Sequence, residues 1–229
     1  MILAIDTSTA KTVLALDTGE GIIEKRFEPL ATQKVIFAEL ANLLDPETLH
    51  ALDGIAVGLG PGSFTGLKIG VIAAKTLAWS REIPIVGVSS MDIVAAGADP
   101  PDDPAAMLVI AFPSTRGEVY IRIYSRDGIT WQASGEISDI RLDKETVSKY
   151  IPDAPLIISG EAARHLVDVV PDEDNYSLAE ESIRYPRANG IFALIRKRFE
   201  SGDTDDPLTV VPMYIRPSQP ERLEKKALD

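Results

Sequence analysis

The chain has 229 residues, no cysteine, 45% hydrophobic residues and a formal net charge of −12. That length can bury the core of one large or two small domains, and the composition is not that of a disordered chain. The absence of cysteine excludes disulfides, thiolate nucleophiles and cysteine-ligated metal centres. An excess of 35 acids over 23 bases, with only 6% aromatic residues, argues against a surface that grips nucleic acid by itself. The N-terminus lacks a basic leader region and no run of about 18 apolar residues occurs, so the expectation is a cytoplasmic protein with no membrane span.

In chain order, 2–6, 12–17 and 22–28 read as three strands separated by turns at 7–11 and 19–21. Pro29 ends the third, and a helical run covers 33–44. A strand at 55–59, a glycine-rich loop, a helix at 65–80, a strand at 84–88 and a short helix at 90–96 follow. Residues 97–104 hold three prolines and three acids, which forbids a regular element and places a linker at 99–104. Beyond it, strands are predicted at 107–112, 118–125 and 129–134, a helix at 143–150, a strand at 155–159 and a helix at 161–169. The stretch to Tyr185 is poorly marked, 187–200 is a strong helix, 208–215 is extended, and 221–229 is a polar tail.

Three strands, helix, strand, helix, strand and helix, given twice, is the layout of a duplicated βββαβαβα unit. The expected fold is therefore α/β, a two-lobed actin-like, ribonuclease-H-like architecture. Its lobes would be 1–98 and 105–229, with the C-terminal segment free to return to the first lobe. An ordinary doubly wound sheet is the alternative.

Nucleotide-binding members of that fold carry Asp-x-Gly-x-Ser/Thr after the first strand. Here the run is Asp6-Thr7-Ser8-Thr9, with a side chain in place of the glycine. Two roles are open to Asp6, Thr7 and Ser8: a residual cation or anion site, or a turn whose short side chains satisfy backbone amides. Gly60, Pro61, Gly62, Ser63, Phe64, Thr65 and Gly66 form the densest motif, between a strand and a helix. It matches neither phosphate-loop template, because it has no Gly-Lys-Ser/Thr and Thr65 stands where a third glycine belongs. Ser63 or Thr65 is the expected helix cap.

The stretch Gly60-Pro61-Gly62-Ser63-Phe64-Thr65-Gly66-Leu67-Lys68-Ile69-Gly70 resembles the hallmark of the bacterial TsaB (YeaZ) family, where Arg usually stands at Lys68. Ile2-Leu3-Ala4-Ile5-Asp6-Thr7-Ser8, Ile83-Pro84-Ile85-Val86-Gly87-Val88-Ser89-Ser90, Gly117-Glu118-Val119-Tyr120 and Pro212-Met213-Tyr214-Ile215-Arg216-Pro217 agree with it. Thr32-Gln33-Lys34 replaces the family's His-Ser, and Pro113-Ser114-Thr115 replaces its Asp-Ala-Arg. The resemblance implies a non-catalytic dimerization subunit of the machinery that makes threonylcarbamoyladenosine in tRNA. It implies a TsaD-type catalytic subunit and a TsaE-type ATPase as partners, with a homodimer possible in isolation and tRNA reached only through the complex. Metal and nucleotide would belong to those partners, with no cofactor in this chain. A stand-alone actin-like ATPase or small-molecule kinase is the rival reading, and it would use Asp6.

No catalytic residue is assigned. His50 and His165 lie far apart, neither has a His or Glu at i+3 or i+4, and no Gly-x-Ser-x-Gly elbow occurs, so no metal or hydrolase site is expected. The acids at Asp99, Asp102, Asp103, Asp203, Asp205 and Asp206 read as solvated. The helices at 33–44 and 65–80 are apolar nearly all round, so each has a second face left after covering its sheet. That face is assigned to Val35, Phe37, Ala38, Ala41, Leu67, Ile69, Gly70, Val71, Ala74 and Ala78 as a protein interface. Val71→Glu or Ala74→Glu is expected to break assembly. The resemblance implies pairing through the same two helices.

Overall fold

The computed structural model describes residues 1–28, 32–171 and 175–215, with the side chains of 32–34 outside that description. The 221–229 tail, Arg216, Pro217 and the side chains of Thr32, Gln33 and Lys34 therefore lie outside the described residues.

The first sheet comprises β1 (Ile2–Asp6), β2 (Thr12–Asp17), β3 (Ile22–Phe27), β4 (Gly54–Gly58) and β5 (Ile85–Val88), in the order β3-β2-β1-β4-β5. β1, β2 and β3 pair antiparallel, while β4 and β5 join parallel to β1, with Ile5 opposite both Leu14 and Val57. Parallel neighbours need crossovers. These are α1 (Thr32–Leu43) with the short α2 (Pro46–His50), and then α3 (Phe64–Arg81). α4 (Ser90–Ala96) follows β5. β1 and β4 are buried without polar alternation because both faces of the sheet are covered.

The second sheet repeats that order as β11-β10-β6-β7-β8, with β6 (Met107–Pro113), β7 (Glu118–Asp127), β8 (Thr130–Ala133), β10 (Leu156–Ser159) and β11 (Tyr176–Leu178). β9 (Ser138–Arg141) also pairs with β7. α5 (Lys144–Tyr150), α6 (Ala163–Val167) and α7 (Ala188–Ser201) complete the chain. Twice-repeated 3-2-1-4-5 order is the two-lobed actin-like architecture. β9 and α2 are additions to the expected unit, and β11 supplies its fifth strand from the poorly marked stretch. Three residues centred on a serine carry too little pattern to announce a strand.

The linker separates the sheets, but the last helix of each half is exchanged. Met91, Val94 and Ala95 of α4 pack with Leu108, Ile110, Phe112 and Tyr124 of the second sheet. Ala188, Ile191, Phe192 and Ile195 of α7 cover Ala4, Val13, Ala15, Ala56 and Val86 of the first. The two helices cross so closely that a Cβ on Gly190 would lie 2.1 Å from the Ile93 carbonyl oxygen. Asp92 of α4 is clasped to the second sheet by Arg122, at 2.8 Å, and by the Tyr124 hydroxyl, at 2.7 Å. α1 and α3 cover the other face of the first sheet, through Ile36, Leu40, Val71, Ala74 and Ala78 against Leu3, Ile5, Ile55 and Val57. No helix among the described residues is long and apolar enough to cross a membrane.

Candidate functional site

Two places answer to the sequence expectations: the turn after β1, and the outer face of α1 and α3. At the turn, Asp6, Thr7, Ser8 and Thr9 are all buried, at 0, 5, 1 and 3% exposure. Ser8 donates to Asp6 Oδ1 through its backbone N–H (2.9 Å) and its hydroxyl (2.7 Å). The Ser90 hydroxyl donates to Oδ2 at 2.6 Å and accepts from the Gly60 N–H at 3.0 Å. Burial pushes the Asp6 carboxyl above the usual carboxylate range, and the Ser8 and Ser90 bonds oppose that shift without cancelling it.

What buries this turn is the glycine motif. The Ser63 N–H donates to the Ser8 carbonyl at 2.7 Å, and the Thr7 hydroxyl donates to the Gly66 carbonyl at 2.8 Å. A Cβ on Gly62 would meet the Ser8 carbonyl oxygen at 2.1 Å, one on Gly66 the Thr7 carbonyl oxygen at 2.2 Å, and one on Gly70 the Thr7 Oγ1 at 2.3 Å. These glycines let the loop and the first two turns of α3 sit directly on residues 6–8. Ser63 caps α3, accepting from the Gly66 N–H at 3.2 Å. Asp6, Thr7 and Ser8 thus satisfy backbone and one another beneath the loop. The partners Ser90 and Gly58, the latter with no room for a Cβ beside Asp6 Oδ2, had no sequence signal that tied them to Asp6.

Between the lobes, the Ala10 N–H donates to Glu161 Oε2 at 3.2 Å. Burial raises the Glu161 carboxyl, opposed by that bond. Lys11 pairs with Glu28 at 2.8 Å and faces the Tyr185 ring. His50 and His165 are exposed. Among the described residues no group of three or more His, Asp or Glu side chains is assembled to hold a metal ion.

On the helix pair, the predicted interface set divides. Phe37, Ala38 and Ala41 are exposed, and Val35 and Ile69 are partly buried. Leu67, Gly70, Val71, Ala74 and Ala78 are instead buried in the lobe's own core or against the β1–β2 turn, so they are not available to a partner. The small size of Gly70, Ala74 and Ala78 reflects close packing of α3 on its own lobe. Val71→Glu and Ala74→Glu would therefore damage the fold rather than report assembly. The outward stripe of α3 is Phe64, Lys68, Ile72, Thr76 and Trp79, with Ile72 60% and Trp79 66% exposed. Its spacing of four and three residues was the signal for it. A groove of about 440 Å³ lies between the helices, lined by Phe37, Leu40, Ala41, Leu44, Leu49, Ile72, Ala73, Thr76 and Leu77.

Asp205 is a further correction, because it is not simply solvated. Its carboxylate accepts from the Gly87 N–H at 2.7 Å and its own N–H donates to the Ile85 carbonyl, covering the free edge of β5. Arg198 holds Asp203 at 2.9 Å and Asp205 at 3.4 Å.

The model of the family described as "TsaD: tRNA N6-adenosine threonylcarbamoyltransferase" matches residues 38–158. The chain is 31% identical over 226 residues to the tRNA threonylcarbamoyladenosine biosynthesis protein TsaB of Escherichia coli, covering 94% of each chain. It belongs to the TsaB family. The TsaB of Bacillus subtilis is 30% identical, with 96% of each chain covered. The solved structure of YeaZ from Pseudomonas aeruginosa shares the fold, with a TM-score of 0.77 at 24% identity over 93% of this chain and 99% of that one.

Proposed function

We propose that this TsaB-family chain is a non-catalytic docking subunit in threonylcarbamoyladenosine formation. It would bind and support a TsaD-type subunit that transfers the threonylcarbamoyl group from threonylcarbamoyl-adenylate to N6 of adenosine 37 of tRNA. The observation that carries this reading is the exposed apolar face formed by Phe37, Ala41, Ile72 and Trp79 around the α1–α3 groove. Monomers seldom leave such a face in water. The matches to TsaB proteins supply the pathway. The match of residues 38–158 to the TsaD family supports a partner built on a related unit.

In this reading the metal and the nucleotide sit in the partners, a TsaE-type ATPase joins the assembly, and tRNA is held through the complex rather than by this acidic chain. Self-pairing through the same face would compete with the TsaD-type subunit. A lone ATPase or kinase would need Asp6 at its metal, whereas both oxygens of Asp6 are engaged by Ser8 and Ser90. The test is a reconstituted modification assay, with TsaD-type and TsaE-type subunits, tRNA and threonylcarbamoyl-adenylate. Modified adenosine should form when this chain is added and fall sharply with Ile72→Glu. Equal product without the chain, or product from the chain alone, would sink the proposal.

A further inference from the structure

The exposed apolar surface does not end at the α1–α3 groove. Residues 208–214 run antiparallel to α3 along its flank. Lys75 Nζ donates to the carbonyls of Leu208, at 3.2 Å, and Val210, at 2.6 Å. The Met213 N–H donates to the Leu59 carbonyl at 2.7 Å. Val210 is buried in the core that holds Val71, Ala74 and Ala78, and the Tyr214 ring lies 5.8 Å from that of Phe64. So anchored, the segment turns Leu208, Val211 and Tyr214 outward, at 71, 59 and 54% exposure.

The charges on this surface are as selective as its apolar residues. In a chain with 35 acids, α3 has no Asp or Glu, and neither has 207–215. The one acid of α1, Glu39, is paired with Lys25 at 2.7 Å. Lys68 is exposed, sits with Nζ 4.0 Å from the centre of the Phe64 ring, and has no ion pair among the described residues. Stacking on the ring stabilises the ammonium without neutralising it.

We propose that 207–215 forms a third row of the docking face and that Lys68 receives a carboxylate of the TsaD-type subunit. This rests on the docking reading above. The occupant is the catalytic partner rather than a second copy, because self-pairing joins two chains of charge −12.

The test is calorimetric titration of the full chain with the TsaD-type subunit of the same organism, at low and high salt. Lys68→Glu and Val211→Asp should each weaken binding about tenfold or more, with melting temperatures unchanged. Lys68→Arg should bind like the parent, and Lys68→Gln should lose part of the salt dependence. Ile72→Glu serves as the reference for the docking face itself. If Ile72→Glu weakens binding while Lys68→Glu and Val211→Asp bind like the parent, the third row is wrong and the docking reading stands. If Ile72→Glu is also silent, the docking reading falls. If Lys68→Glu weakens self-association but not the mixed complex, the occupant is a second copy and the assignment is overturned.

Discussion

Replacing Gly190 by Ala sets helix propensity against the crossing of α4 and α7. Alanine favours an interior helical position by about 1 kcal/mol over glycine. The added Cβ, however, would lie 2.1 Å from the Ile93 carbonyl oxygen and 3.1 Å from the Gly97 nitrogen, both backbone atoms that no rotamer can move. Relief requires the helices to part by roughly 1 Å, which forfeits a large share of the dispersion contacts that Ala188, Ile191 and Phe192 make with Ile93. Overpacking of this kind costs about 3 kcal/mol, at the upper end of its usual range. The net expectation is a loss of about 2 kcal/mol, or a melting temperature lower by about 4–8 °C for a chain of this size. Urea unfolding followed by Trp131 fluorescence reads it, since Trp131 packs in the cluster that α4 forms with the second sheet. The midpoint should fall with the slope unchanged. A Gly190→Ala protein as stable as the parent, or more so, would mean the helices do not cross this closely.

Other perturbations separate burial from exposure and structure from ligand binding. Ile72→Glu should leave thermal stability within about 0.5 kcal/mol because the site is open, whereas Val71→Glu should cost several kcal/mol for an unpaired buried carboxylate; equal melting temperatures would refute the burial assignment. Asp6→Ala should cost about 1–3 kcal/mol, through the orphaned Ser8 N–H and the Ser8 and Ser90 hydroxyls, and leave ATP affinity unchanged by calorimetry; a lost ATP signal would revive the kinase reading. Burial holds the folded Asp6 carboxyl above its unfolded value of 3.8, so the folded state keeps that proton longer. This group's contribution to stability therefore falls as pH rises from about 3.8 through the folded value. Asp6→Asn should flatten that part of the pH–stability curve, and a curve parallel to the parent's would contradict the shift. Arg122→Ala leaves Asp92 with the Tyr124 hydroxyl alone and should cost about 1–2 kcal/mol in urea unfolding.

The fold was legible because β1, β4 and β6 are apolar runs bounded by turns and because 97–104 is dense in proline. β9 was not, since Ser138-Asp139-Ile140-Arg141 has a single apolar side chain and is a strand only because β7 is long enough to pair with it. The helix pair was found from its apolar excess, but its inward and outward faces were exchanged on α3. Leu67, Val71, Ala74 and Ala78 looked like a free face until Gly62, Gly66 and Gly70 were seen to seat the helix on residues 6–8. The missing glycine after Asp6 pointed to a turn that had changed its role, yet nothing in the chain linked Asp6 to Ser90, 84 residues away. Long-range pairs of this kind, like Asp205 on the edge of β5, are made by topology and have no periodicity to read.

Light scattering on a sizing column, with the chain alone, with the TsaD-type subunit, and with Ile72→Glu in the same mixture, tests the docking claim most directly. A 1:1 species with the parent chain, replacing any homodimer and lost with Ile72→Glu, is the predicted result. Two unshifted peaks with the parent chain, or a complex that Ile72→Glu leaves intact, would contradict it.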